Sequence, residues 1–100
     1  MNQLNLNKLA ALVYKEFRGR VHTLRSTSRG KANDSLCRQI TVYLGHVVYP
    51  GTTMTDIGKL MKRDRTTIAH ACIKIEDMRE DPEFDERLTK LENKYLGKDK

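Results

Sequence analysis

The stretch Arg63-Asp64-Arg65-Thr66-Thr67-Ile68-Ala69-His70-Ala71 sets two guanidiniums, a carboxylate and two hydroxyls ahead of apolar residues at helical spacing. Ile68, Ala71, Cys72, Ile75 and Met78 fall at i, i+3, i+4, i+7 and i+10, which predicts a helix with one buried face and a polar first turn. The chemistry such a turn offers is recognition: it donates hydrogen bonds and positive charge to an anion or to the edge of a base. Arg65 and Thr66 sit where side chains reach base edges, and Thr67, His70 and Lys74 follow at three- and four-residue steps along one face, suited to phosphate. Asp64 has two readings, a cap that accepts a backbone N–H and an acceptor for a cytosine amino group. His70 as a catalytic base would need a Ser, Cys or carboxylate partner in a pocket, and none is predicted, so no enzyme activity is expected.

That helix needs a partner to hold it. Thr55-Asp56-Ile57-Gly58-Lys59-Leu60-Met61 predicts a short amphipathic helix joined to it through Lys62-Arg63, giving a helix-turn-helix over about 53–79. Ahead of it, residues 3–18 predict a helix with Leu6, Leu9, Ala10, Val13 and Phe17 on one stripe, interrupted at Gly19, and Val21 to Leu24 a short second turn. Arg25 to Asn33 is small, polar and basic, hence a loop. Asn33 or Asp34 is placed to cap a helix over roughly 35–49, with Leu36, Ile40, Tyr43, Leu44 and Val47 as its stripe and Pro50-Gly51 as its end. Arg38 and Gln39 lie near its start, beside the basic loop, again suited to phosphate. Asp81-Pro82 opens a last helix, about 82–96, that buries Phe84, Leu88, Leu91 and Tyr95 and stops at Gly97. No segment alternates at period two, so the architecture is all-α.

One hundred residues with 38% hydrophobic content predict a single domain, 1–100, with a core large enough for a binding surface and too small for a deep pocket. The net charge of +6 is uneven. Residues 1–40 carry eight Lys/Arg against two acids and residues 41–75 five against two, whereas residues 76–100 carry six against nine. A basic front and an acidic back orient a protein on a polyanion, although a merely solubilising surface is the competing reading. Cys37 and Cys72 stand alone on apolar stripes without metal-ligand spacing and read as buried, reduced thiols of a cytoplasmic protein. No metal, cofactor or nucleotide is expected, and no apolar run is long enough for a membrane.

The motif from Arg63 to Ala71, completed by Lys74-Ile75-Glu76, resembles the signature of the C-terminal DNA-binding domain of DnaA, the bacterial replication initiator. That signature reads Arg-Asp-His-Thr-Thr-aliphatic-x-His-Ala and differs from this chain at one position. Arg38-Gln39-Ile40 with Tyr43-Leu44, and Glu16-Phe17 with Val21 and Leu24, are similar to the family's flanking helices, so the resemblance runs over about 10–96. It implies a helical bundle with a Trp repressor-like helix-turn-helix that binds double-stranded DNA as a monomer. It further implies base reading by Asp64, Arg65 and Thr66, and phosphate contacts from Arg38, Gln39, Arg63, Thr67, His70 and Lys74. The family's loop places an arginine in the minor groove; here the match falls on Arg29, with Lys31 the rival.

Three departures bear on function. Arg65 replaces the family's histidine, and arginine prefers guanine O6 and N7, which shifts the expected box. Met61-Lys62 replaces a glycine pair before Arg63. Gly30-Lys31 is followed by Ala32 and Gly58-Lys59 by Leu60, so no phosphate-binding loop of an ATPase is present, and a free-standing reader domain is expected. Such a reader, bacterial or phage and associated with the nucleoid, acts by occupancy. It regulates transcription at promoters or modulates replication at origin boxes. The contrasting class is a protein-interaction adaptor working through its acidic last helix.

Overall fold

Asn5 opens the first helix, its side chain accepting from Lys8 N at 3.0 Å, so α1 spans Leu6–Phe17 and not the expected 3–18. It buries Leu6, Leu9, Ala10, Val13 and Tyr14 and ends where Arg18 turns left-handed at φ 58°. The structure, a computed structural model, describes residues 5–21, 24, 32–49 and 51–97; among these the chain forms five helices and no strand. Gly19 follows α1 for a packing reason. A Cβ there would lie 2.6 Å from Cys37 Sγ and 2.8 Å from the Tyr14 ring, so its absence lets the next helix come close. Val21 and Leu24 close the expected short turn, Leu24 N donating to Val21 O at 3.1 Å.

Helix α2, Ala32–Val48, starts three residues before the sequence reading put it, and neither Asn33 nor Asp34 is its cap. The Asp34 carboxylate is engaged elsewhere. It accepts from Arg20 N at 2.7 Å, and its other oxygen accepts from Arg20 Nε and Nη2 at 2.9 and 2.6 Å. With Asp34 only 2% exposed, this fork is a tertiary clamp between the end of α1 and the start of α2. Further along, the stripe continues Ile40–Leu44–Val48 in steps of four, which leaves the expected core residue Val47 40% exposed. Thr41 is buried and its hydroxyl donates to Cys37 O at 2.8 Å.

The helix-turn-helix consists of α3, Met54–Met61, and α4, Arg65–Met78, close to the expected limits. Thr53 and Asp56 form a reciprocal capping box at the start of α3, with bonds of 3.0 and 3.1 Å. Its end is a tight left-handed joint. Lys62 takes φ 56°, Arg63 N donates to Gly58 O at 2.8 Å, and Lys62 N donates to Lys59 O at 3.4 Å. Arg63 O passes so near that a Cβ on Gly58 would meet it at 2.6 Å. The turn forms without a glycine at its left-handed position; a lysine adopts the conformation a glycine takes easily.

Helix α5, Pro82–Leu96, begins as expected. Asp81 accepts from Glu83 N at 3.1 Å, Pro82 occupies the first turn, and Gly97 ends it at φ 76°. Helix α2 is the central element, packed against α1 on one side and α4 on the other; α3 rests on α4 and α5 on α1. Ile68 and Ile75 anchor α4 in this core, 1% and 0% exposed, each contributing about 1.5–3 kcal/mol by burial. Cys37 and Cys72 lie in the same core. Burial, reinforced by Asp34, pushes the Cys37 thiol up to about 11, and burial with Glu76 raises Cys72, so neither is a ready nucleophile. No helix of the described residues is long and apolar enough to cross a membrane.

Candidate nucleic-acid interface

The front of α4 is organised by Asp64, whose Oδ1 accepts from Thr67 N at 2.8 Å. Bonds from the Thr67 backbone and hydroxyl, with the His70 charge nearby, hold this carboxyl below the usual range and outweigh its slight desolvation. The cap reading of Asp64 is therefore seen directly, and the carboxylate stays exposed. Arg65, Thr66 and Thr67 project from the same turn into solvent, with His70 and Lys74 further along. Free backbone N–H groups at this helix start add partial positive charge to the turn.

Beside that turn lies a hollow of about 260 Å³ between α2 and α4. Arg38, Gln39, Arg63, Thr67, His70 and Lys74 all line it, and they come from α2, the α3–α4 joint and α4. The six residues assigned to phosphate by resemblance are 36 positions apart in sequence at their extremes, yet the fold gathers them on one surface. Val42, Ile68 and Ala71 supply its apolar part, and Ser35 completes the α2 wall. Burial, followed by the positive charge of Arg38, lowers the Arg63 pKa against a smaller opposing effect of Tyr14. Two guanidiniums on one surface favour an anion between them.

One of the six has a structural duty too, and a second is partly buried. Arg38 is 9% exposed and its Nε donates to Leu24 O at 3.3 Å, so it is not the solvated residue that a surface position would give. The Gln39 Oε1 is buried with no hydrogen-bond partner among the described residues, and turning the amide would present its NH₂ at the same place. Arg29 and Lys31, assigned to the minor groove, lie outside the described residues. The Arg20–Asp34 clamp and the Arg38–Leu24 bond tie residues 20 and 24 to α2.

The α2 wall is a surface the sequence reading found only in part. Ser35, Arg38, Gln39 and Val42 are spaced i, i+3, i+4 and i+7, a second stripe on α2 beside its hydrophobic one. Among the described residues no three His, Cys, Asp or Glu gather to hold a metal ion.

A search of curated proteins finds no match for the chain. The family model of the bacterial dnaA protein helix-turn-helix matches residues 6–75, from the start of α1 to the last buried isoleucine of α4. The match begins a little before, and ends well before, the 10–96 expected from the residues, leaving α5 outside it. It contains the capping box, the left-handed joint, the Asp64 cap and all ten residues that line the hollow. On these grounds the chain belongs to the bacterial DnaA helix-turn-helix family, a family of DNA-binding domains.

Proposed function

We propose that this chain binds double-stranded DNA at a DnaA-box-like sequence and regulates transcription by occupying its sites. The observation that carries this reading is the hollow. Six side chains able to serve phosphate line one surface beside the exposed first turn of α4, so backbone contacts fix the register while that turn reads bases. Arg65 and Thr66 read base edges in the major groove. Asp64 caps the helix through Oδ1 and stays exposed, so its carboxylate also accepts from a cytosine amino group. Arg29, with Lys31 as the rival, reaches the minor groove. The 100 residues supply binding without a nucleotide-hydrolysing loop, so occupancy is the action they perform on DNA. Family membership supports a second use of the same surface, competition for boxes at a replication origin.

Selection from random duplexes tests the reading. A box is expected to be enriched and bound at least ~10³-fold more tightly than scrambled duplex at matched salt. Lys74→Ala is expected to weaken all duplexes alike and lower the salt slope by about one phosphate's worth. Failure to enrich any motif overturns the proposal. Association that depends on α5 and ignores DNA would instead support an adaptor.

A further inference from the structure

Ile73 is 60% exposed, more than any other large hydrophobic side chain described, and it lies on α4. The hollow does not use it. Thr66, His70, Ile73 and Asp77 are spaced i, i+4, i+7 and i+11 and are all exposed, so they form one stripe on the helix face opposite Ile68 and Ile75. Read from the N-terminal end, the stripe offers a hydroxyl, an imidazole, an apolar branched chain and a carboxylate. A surface devoted to phosphate gains nothing from Ile73 and is opposed by Asp77. Base edges are different, because thymine presents a C5-methyl group in the major groove, an apolar feature that an apolar side chain recognises. At a rise of about 1.5 Å per residue, Ile73 stands ~10 Å along α4 from Thr66. That is about three base-pair steps of ~3.4 Å. The charge of Asp77, one turn later, marks where this face must part from the DNA.

We propose that Ile73 is a specificity-determining residue that packs on the C5-methyl of a thymine about three base pairs from the position read by Thr66. The inference rests on the duplex-binding reading above and extends what α4 reads beyond its first turn. It adds an apolar contact to an exposed α4 stripe otherwise made of polar side chains, and such a contact responds little to the screening of charge by salt.

The test is a thymine-to-deoxyuridine scan of the selected box, measured with the wild type and with Ile73→Ala at matched salt. One substitution is expected to weaken the wild type about three- to fivefold, the effect of withdrawing one methyl group from apolar burial. The same substitution should leave Ile73→Ala unchanged. Because Ile73 is exposed, its removal should hardly alter the unfolding midpoint, so a lost fold does not confuse the result. Ile73→Lys should tighten binding to all duplexes and flatten the preference at that one position. A selected box whose scan is identical for wild type and Ile73→Ala overturns the methyl contact alone. Absence of any selected box overturns the duplex-binding reading, and this contact with it.

Discussion

At its N-terminal end α4 is held by the bond from Thr67 N to Asp64, and it offers Arg65, Thr66 and Thr67 to solvent. At its C-terminal end Arg79 ties it to two other helices. Arg79 Nε donates to Asp85 and Nη1 to Glu92 at 2.8 Å, while Nη2 donates to Thr89 Oγ1 at 3.0 Å, all in α5. Nη1 also reaches Tyr43 Oη of α2 at 3.3 Å, and that hydroxyl donates to Glu76 of α4 itself. Burial by itself would lower the Arg79 pKa, but Glu92, Asp85 and Tyr43 more than reverse this and raise it. The contrast shows how one helix divides its work. The front end leaves Arg65 and Thr66 exposed to solvent, whereas the other end commits four Arg79 hydrogen bonds to holding the helix in place.

If the division holds, substitutions at the back should cost stability and leave base choice alone. Arg79→Ala is expected to show the largest effect. It strips Glu92 and Asp85 of their partner where the Arg79 side chain is only 16% exposed, costing about 2–3 kcal/mol; full burial would cost more. Urea unfolding measures the loss, and selection of boxes with the folded fraction should return the wild-type motif. A changed motif would mean that the two ends are coupled, with α5 setting how α4 enters the groove.

The joint in front of α4 sharpens the comparison with a smaller change of opposite sign. Lys62 holds a left-handed conformation that costs an L-residue energy, so Lys62→Gly should relieve strain. Greater freedom of glycine in the unfolded chain offsets part of the gain, leaving about 0.5–1 kcal/mol of stabilisation, seen as a higher unfolding midpoint. Destabilisation would show that the Lys62 side chain contributes more than its backbone costs.

The smallest effect is expected at Asp64 and appears only in acid. Its folded pKa lies below the unfolded value of about 4, so its contribution is complete above that pH and fades as pH falls through the lower folded value. Asp64→Asn keeps a good capping group and removes the titration. The two proteins should have similar stability at neutral pH, and the difference between their stability curves should open only below about pH 4. Parallel curves down to pH 2 would show that the cap does not depend on charge.

The residues themselves determined the helix-turn-helix over about 53–79, the Asp81-Pro82 start and the Gly97 stop, because each depends on neighbours within a turn or two of the chain. Asp64 as a cap was legible for the same reason: its acceptor and the Thr67 N–H are three residues apart. Tertiary structure alone decided the fate of Asp34. Nothing local distinguishes a cap from a clamp, and the choice fell to Arg20, 14 residues upstream. It likewise left Val47 exposed while continuing the buried stripe to Val48, because the neighbouring helices set which face of α2 is covered. The gathering of Arg38, Gln39 and Arg63 with Thr67, His70 and Lys74 is of the same kind. Residue types suggested what each could bind, but only the packing of α2 against α4 made them one surface, since side chains separated in sequence acquire a common ligand only when the core between them fixes their distance.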